Sequence, residues 1–374
     1  MNAEGPAPAT GAAPLAGNRA GPVRAGEELD VAAVDRFVKE RVAGLRGLPA
    51  VSQFSGGASN WTYLLRYEGG AGDSPHTELV LRRPPAGTKA RSAHDMGREH
   101  RIQAALAPHY PYVPQMVGLC EDESVIGVPF YVMARIPGAI PRRTLPPGVD
   151  WTVDRTRELC ENVVARLVEL HRVDVDTAGL APLGKGPGYP RRQVEGWSQR
   201  YEKARTWNVP SFGRVRAWLA ERTPDDAGRC LIHNDYRLDN VVLAEDDPTR
   251  VVGVLDWEMA TVGDPLMDLG AALAYWVEAG DDWLARRMRR QPTHLPGMLR
   301  RAEVVERYLD ATGIHAADWP FYETYGLFRV AVIAQQIYYR YHHRQTRNPA
   351  FKSFWVLVRY FHWRCRRVMA RAGG

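Results

Sequence analysis

Four side chains able to do chemistry lie in one short stretch of the sequence, between Cys230 and Trp257. His233, Asp235 and Asn240 occupy a polar loop after an apolar run, and Asp256 directly follows a second apolar run. A carboxylate and an amide oxygen suit Mg²⁺ that is bound together with phosphates, and a further carboxylate can orient a hydroxyl for in-line attack. The stretch therefore predicts phosphate chemistry at a magnesium site.

Two short strands must bring these side chains together. The polar turn Glu245-Asp246-Asp247-Pro248 separates the apolar residues that end at Leu243 from the apolar run 251–255, which predicts a β-hairpin. The loop enters the first strand of this hairpin at the end where Asp256 leaves the second strand. We therefore expect the loop and Asp256 to lie side by side.

The spacing His233-x-Asp235-x-x-x-x-Asn240 matches the kinase catalytic-loop pattern H-R-D-x-x-x-x-N, and Asp256 stands where the aspartate of D-F-G would stand. An ordinary polar hairpin turn is the alternative interpretation. Two strand-bounded elements in the right order and spacing favour the kinase pattern.

The residues after Asp256 bear on the acceptor. Only the segment 259–263 separates Glu258 from Asp264-Pro265, which we expect to be the N-cap and first turn of a helix. This leaves no room for the activation segment with which protein kinases seat a peptide, so a small-molecule acceptor is favoured. We expect Asp264 to act as a cap and Asp268 to brace the catalytic loop.

Further motifs are spread along the chain: Gly56-Gly57-Ala58-Ser59-Asn60, Leu79-Val80-Leu81-Arg82, Ser92-Ala93-His94 with Arg98-Glu99, Gly127 to Met133, Leu170-His171, Tyr189 with Arg192-Gln193, and Asp256-Trp257-Glu258 with Gly263-Asp264-Pro265. With the loop above, they make the sequence resemble the aminoglycoside phosphotransferase-like, or kinase-like, superfamily over about residues 30–345. The most similar branch is the amino-terminal kinase-like domain of acyl-CoA dehydrogenase family members ten and eleven.

The resemblance implies a role for each residue of the loop. It implies that Asp235 is the catalytic base and that Asn240 and Asp256 bind the magnesium ion. His233 is the other candidate catalytic residue, and we expect it to orient the loop rather than to transfer protons. Asn234 stands where this branch usually has glycine, which concerns only the local turn.

The resemblance also implies a nucleotide site, with ATP and Mg²⁺ as cofactors. Arg82 falls where kinases place the strand lysine that grips the α- and β-phosphates, and Glu99 falls where a helix glutamate pairs with it. The guanidinium could still contact phosphate, with a reach and geometry unlike those of lysine. The candidate nucleotide-binding residues are Ser55, Gly56, Gly57, Ser59, Asn60, Arg82, Glu99 and Met133.

Composition and patterning set the fold class. The chain has 374 residues, 45% hydrophobic, which is enough for a sizeable core. We expect a disordered Ala, Gly and Pro-rich tail over 1–29, a small antiparallel β lobe over 30–134 and a larger, mainly helical lobe over 135–374. The fold class is therefore α+β, a two-lobed protein-kinase-like fold. No apolar run is long enough for a bilayer and four scattered cysteines suggest no metal site, so we expect a cytoplasmic protein.

The net charge of +6 need not indicate nucleic acid, because phosphorylated ligands explain it as well. The resemblance suggests a hydroxyacyl-CoA or hydroxyacid acceptor, whose CoA phosphates could meet Lys185, Arg191 and Arg192. An aminoglycoside or other amino alcohol is the first alternative, supported by acidic residues Glu278, Asp281 and Asp282. The second is a nucleotide-binding pseudokinase without turnover. We expect no nucleic acid or membrane partner, and a monomer or homodimer.

Overall fold

The computed structural model of the protein describes residues 20–54, 60–70, 76–85 and 95–373.

A five-stranded antiparallel sheet forms the small lobe. Its strands are β1 (Leu45–Gln53), β2 (Trp61–Gly69), β3 (His76–Arg83), β4 (Met116–Cys120) and β5 (Phe130–Ala134), in the spatial order β1-β2-β3-β5-β4. Side chains alternate between the two faces of a strand. In β2, Tyr63, Leu65 and Tyr67 are fully buried, whereas Arg66 and Glu68 are exposed.

Two helices cover opposite faces of this sheet. Helix α1 (Val31–Lys39) starts at the N-cap Asp30 and packs against the face that carries Leu79 and Leu81. Helix α2 (Met96–Leu106) starts at the N-cap Asp95, and its Met96 packs on the other face. Because β3 alternates, Arg82 projects on this second face, toward the helical lobe.

We expected a disordered tail over 1–29, but its described part, residues 20–29, is held against the small lobe. Gly21 exchanges two backbone hydrogen bonds of 2.8 Å with Gln53, and Val23 and Leu29 pack against the core of the small lobe. Pairing with the edge strand compensates for the ordering of a segment that has few large apolar side chains. Residues 1–19 lie outside the described residues.

The connection between the lobes is hydrogen-bonded to Leu243, the last residue of the first strand of the predicted hairpin. Ala139 and Leu243 exchange backbone hydrogen bonds of 2.9 and 2.8 Å. Gly138 has φ +145°, and a Cβ there would come within 2.2 Å of the Leu243 carbonyl oxygen. Glycine is therefore required where the connection passes the hairpin.

Helices dominate the large lobe, as predicted. They are α3 (Val153–His171), α4 (Tyr189–Ala204), α5 (Gly213–Glu221), α6 (Pro265–Leu273), α7 (Trp283–Met288), α8 (Arg301–Thr312), α9 (Trp319–His342) and α10 (Phe354–Arg371). Among the described residues, none of the helices combines the length and apolar character needed to cross a membrane.

Helix α6 is buried along its whole length and crosses α9 at a very short distance. A Cβ on Gly326 would lie 2.1 Å from the Gly270 carbonyl oxygen, and one on Gly270 would lie 2.5 Å from the Tyr322 carbonyl oxygen. These two glycines let the backbones touch, which holds α6 in the centre of the lobe.

Two small antiparallel pairs carry the catalytic segment. Strand β7 (Val241–Leu243) pairs with β8 (Val251–Val254), which confirms the predicted hairpin. Strand β6 (Cys230–Ile232) pairs with β9 (Thr261–Gly263), a pairing that the sequence analysis did not predict. The two pairs place both ends of the catalytic loop on rigid backbone.

Candidate active site

A cavity of about 460 Å³ lies between the sheet and the helical lobe. Val80 and Met133 form part of its wall on the sheet side, and Asp235, Asn240 and Asp256 line it from the hairpin side. The structure therefore brings together the predicted base, the two predicted magnesium ligands and the predicted nucleotide-contacting Met133.

The catalytic loop begins with a left-handed residue. Asn234 has φ +65°, a conformation open to asparagine and glycine but costly for most other residues. Its Nδ2 donates to the Met259 carbonyl oxygen at 3.1 Å. The same conformation accounts for asparagine at a position where glycine was expected.

Asp268 on α6 holds this turn in place, as predicted. Its two carboxylate oxygens accept the backbone N–H groups of His233 and Asn234, each at 2.8 Å, and the Nε2 of His171 lies 3.1 Å away. Burial raises the pKa of Asp268, but the hydrogen bond and charge of His171 outweigh it and leave the pKa below its usual value. His171 itself is buried and contacts the Tyr308 hydroxyl at 2.5 Å, as expected of a core histidine.

His233 is held by both ring nitrogens. Its Nε2 lies 3.0 Å from the Leu255 carbonyl oxygen, and its Nδ1 accepts the backbone N–H of Asp235 at 3.3 Å. A carbonyl oxygen can only accept, so the proton must be on Nε2. Since neither nitrogen is available to a substrate, His233 positions Asp235 and the strand end before Asp256.

Asp235 is fixed from two sides within its own loop. Asn240 Nδ2 donates to the Asp235 carbonyl oxygen at 2.8 Å and to its Oδ2 at 3.2 Å. Arg237 Nη2 lies 3.2 Å from the same Oδ2, and Arg237 Nε lies 3.1 Å from Asp239 Oδ1. Burial lowers the pKa of Arg237, but Asp235 and Asp239 outweigh it and raise that pKa.

Arg82 joins the lobes through three carboxylates. Its Nη2 lies 2.9 Å from both Asp256 Oδ1 and Glu258 Oε2, and its Nη1 lies 3.5 Å from Glu99 Oε1. Burial lowers the pKa of Arg82, but these carboxylates, Glu99 foremost, raise it well above its ordinary value. The predicted pairing of Arg82 with Glu99 is present, and Glu258 is an additional partner.

Glu99 and Asp256, two of the carboxylates around Arg82, have pKa values that are shifted in opposite directions. Burial raises the pKa of Glu99 more than Arg82 lowers it. Burial also raises the pKa of Asp256, but there the charge and hydrogen bond of Arg82 prevail and the pKa falls below its usual value. Within this cluster the pKa of Asp256 is therefore lowered, whereas that of Glu99 is raised.

The remaining predicted nucleotide-binding residues divide into two groups. Asn60 is buried and its Nδ2 donates to Glu258 Oε2 at 3.3 Å, so it belongs to the Arg82 cluster. Ser55, Gly56, Gly57 and Ser59 lie outside the described residues.

The sequence analysis assigned no role to three residues that hold this site. They are Arg237, Glu258 and the buried Arg329, whose Nη2 donates to the Asn234 carbonyl oxygen at 2.6 Å. Arg237, two residues after Asp235, could have been noticed as a cation inside the motif. Arg329 gives no signal, because it lies on α9, far along the chain.

The donor set fits a magnesium ion only together with phosphates. Among the described residues, no group of three or more His, Cys, Asp or Glu side chains could hold a metal ion. Asn240 directs its Nδ2 to Asp235, so its Oδ1 is the atom that can face a cation. One amide oxygen and one carboxylate match a hard cation that takes its other ligands from phosphate and water.

The predicted acceptor residues lie elsewhere. The cleft is not lined by Lys185, Arg191 or Arg192. Arg192 instead donates to the carbonyl oxygens of Gly186 and Pro187. The acidic residues of the aminoglycoside alternative are used internally. Asp281 and Glu278 pair with Arg301 at 2.6 and 3.3 Å, and Asp282 caps α7.

Comparison with known proteins identifies the family. Residues 50–323 match the model of the phosphotransferase enzyme family, and the chain belongs to this family. Mouse acyl-CoA dehydrogenase family members 10 and 11 are 35% and 32% identical to the chain over 326 residues, which is 85% and 84% of this chain. These alignments cover only 29% and 40% of the two relatives, so the chain spans less than half of their length.

Solved structures confirm the kinase-like fold. A crystal structure from Ralstonia eutropha, whose name assigns it provisionally to the aminoglycoside phosphotransferases, superposes with a TM-score of 0.77 at 28% identity, covering 92% of this chain and 99% of that one. A mutant of aminoglycoside phosphotransferase APH(4)-Ia, in ternary complex with ADP and hygromycin B, gives a TM-score of 0.55 at 16% identity, covering 91% and 99%.

Proposed function

We propose that this protein is an ATP- and Mg²⁺-dependent kinase that phosphorylates a hydroxyl group of a small molecule. The observation that carries the proposal is the convergence of Asp235, Asn240 and Asp256 on one cleft, with Arg82 bridging from the sheet to Asp256. Membership of the phosphotransferase family supports the reaction class. The ADP complex of a structural neighbour supports a nucleotide in the cleft.

Asp235 acts as the base. Its carboxylate lines the cleft and is oriented by Asn240 and Arg237, so it can accept the proton of an acceptor hydroxyl as that oxygen attacks the γ-phosphorus. His233 and Asp268 set the backbone that aims this carboxylate.

Asn240 and Asp256 are the residues that would hold the metal. When bound there with the nucleotide, Mg²⁺ would supply positive charge that offsets the charge of the phosphates. Arg82 keeps Asp256 in position and offers the rest of its guanidinium to phosphate, in place of the lysine of other kinases. The segment 55–60 is proposed to cover the phosphates.

The apolar wall of the cleft suits the base of the nucleotide. Val80 and Met133 project from neighbouring strands, where they are paired in the sheet register, and Phe54 adds to the same surface. A cavity of about 460 Å³ is within the range of small-ligand sites.

The acceptor is proposed to be a hydroxyacyl-CoA or a related hydroxyacid. The names of the acyl-CoA dehydrogenase relatives favour this class. An aminoglycoside is disfavoured because Glu278 and Asp281 are neutralised by Arg301 and do not line the cleft. A pseudokinase is disfavoured because Asp235, Asn240 and Asp256 are all present. We propose a cytoplasmic protein that acts as a monomer or homodimer.

A panel of acceptors tests the proposal. Release of ADP would be measured with hydroxyacyl-CoAs, free hydroxyacids, choline-like alcohols and aminoglycosides, for the wild type, Asp235→Asn and Asp256→Ala. Asp246→Asn is the matched control, because this exposed carboxylate lies at the turn of the same hairpin. We expect release with a hydroxyacyl acceptor for the wild type and the control only. Response to aminoglycosides alone would contradict the acceptor class, and ATP binding without turnover would favour the pseudokinase.

A further inference from the structure

A second cavity, of about 760 Å³, lies beside the catalytic cleft. It shares Arg142, Asp239 and Arg290 with the cleft, so the two are neighbours along one surface. Its other walls come from the connection between the lobes, from α7 and the residues after it, and from the start of α10. We call it the arginine cavity.

The charged side chains that line the arginine cavity are almost all positive. Five arginines line it, Arg142, Arg143, Arg287, Arg289 and Arg290, against a single carboxylate, Asp239. That carboxylate already lies 3.1 Å from Arg237. Within the described residues, Arg143, Arg287, Arg289 and Arg290 form no ion pair with a carboxylate. By contrast, the catalytic cleft has as many acidic as basic side chains in its walls.

Four arginines without a carboxylate partner in one cavity indicate an anionic ligand. Guanidinium groups that are not paired with a carboxylate are suited to phosphate, which they bind through paired N–H groups. Arg289 is half-buried: its Nη1 donates to the Arg286 carbonyl oxygen at 2.8 Å, and its Nε is buried without a hydrogen-bond partner. A polycationic acceptor would be repelled here.

The lining of the arginine cavity also has an apolar and aromatic part. Trp283 is 66% exposed, which is unusual for an indole, and Leu284, Met288, Phe354 and Leu357 continue the surface. Arg287 lies over the Trp283 ring, with 5.8 Å from its Cζ to the ring centroid. Such a wall can stack a planar base or hold an aliphatic arm.

We propose that the arginine cavity binds the phosphorylated portion of a CoA-type thioester, whose hydroxyacyl arm reaches Asp235 through the shared boundary. This inference rests on the proposed function and selects, among its acceptors, the one that combines several phosphates, a planar base and an apolar arm. A ligand in this cavity passes Arg142 and Arg290 to enter the cleft, which is the geometry that a long acceptor with its hydroxyl at one end requires. Lys185, Arg191 and Arg192 line neither cavity and are not part of this site.

The test uses free CoA as a probe, so that it does not depend on turnover. Binding of CoA and, separately, of a non-hydrolysable ATP analogue would be measured by calorimetry for the wild type and Arg143→Ala/Arg287→Ala. Both arginines line only the second cavity, so the nucleotide cleft is untouched. Arg214→Ala is the matched control, an exposed arginine outside both cavities. Quenching of Trp283 fluorescence by CoA, absent in Trp283→Leu, is a second readout.

We expect the double variant to bind CoA at least tenfold more weakly, since one charged hydrogen bond contributes roughly tenfold in affinity. Its affinity for the ATP analogue and the CoA affinity of Arg214→Ala should stay at wild-type values, and Arg143→Lys/Arg287→Lys should retain much of the CoA binding. Equal binding of CoA to wild type and double variant, or no binding at all, overturns the inference. A parallel loss of nucleotide affinity also overturns it, because the arginines would then serve ATP. If CoA binds as expected but no acceptor releases ADP, the proposed function fails while the site stands.

Discussion

Arg82 should be one of the most costly residues to replace in this protein. Its guanidinium lies within 3.5 Å of Glu99, Asp256 and Glu258, and its side chain is only 12% exposed. Arg82→Met keeps the length of the aliphatic stem and leaves three carboxylates without their counter-charge. Removing one partner of a buried ion pair costs about 3–5 kcal/mol. We expect a loss of this size in the free energy of unfolding.

A double-mutant cycle shows where the loss comes from. Glu99 is the most deeply buried of the three carboxylates, with a side chain 3% exposed. If its uncompensated charge is a major part of the penalty, adding Glu99→Gln to Arg82→Met should recover about 1–3 kcal/mol instead of adding a further loss. The cycle would be measured by urea unfolding followed by tryptophan fluorescence.

A surface pair provides the matched control. Arg250 lies 2.7 Å from Asp246, but the two side chains are 54% and 75% exposed, so Arg250→Met should change stability by less than about 1 kcal/mol. Equal effects of Arg82→Met and Arg250→Met, or strictly additive effects of the Arg82 and Glu99 substitutions, would refute the view that Arg82 compensates a buried acidic cluster.

Three further predictions concern the support of the site. The pKa of Asp268 is lower in the folded protein than in the unfolded chain, so its carboxylate stabilises the fold above the unfolded pKa, and this stabilisation is lost as pH falls through the folded pKa. Asp268→Asn should therefore have a lower free energy of unfolding in urea than wild type near neutral pH, and the difference should disappear below about pH 4. A gap that stays constant into acid would contradict this sign. Gly326→Ala should lower stability by about 1–3 kcal/mol in thermal melts, because its Cβ would meet a carbonyl oxygen at 2.1 Å, whereas Gly196→Ala in open space should be neutral or slightly stabilising. His233→Leu should lower kcat without removing a limb of the pH–rate profile, since His233 only positions Asp235; loss of a limb near neutral pH would show that it carries a proton.

Local patterns were sufficient to predict the centre of the site. The hairpin follows from two apolar runs and a polar turn, and once it forms, Asp235, Asn240 and Asp256 must lie at one end of it. Arg82 followed from the resemblance and its place on a strand. The bracing by Asp268 could also be predicted, because an aspartate in the middle of an apolar helix needs partners.

Contacts between distant parts of the chain could not be predicted. Glu258 becomes a partner of Arg82 only when the lobes close on each other, and Arg329 reaches the Asn234 carbonyl from α9. The arginine cavity joins Arg143, Arg287 and Leu357, which no local pattern connects. The order of residues 20–29 depends likewise on a bridge to Gln53 that composition does not reveal.

The most direct test of the central claim is transfer of labelled γ-phosphate from ATP to an acceptor in a single turnover, comparing wild type with Asp235→Asn. General-base catalysis contributes about 10²–10⁴-fold in rate, and the proposed base Asp235 is oriented by Asn240 and Arg237. We predict a loss of this size in the transfer rate with little change in the affinity for ATP. Transfer by Asp235→Asn at close to the wild-type rate would contradict the account.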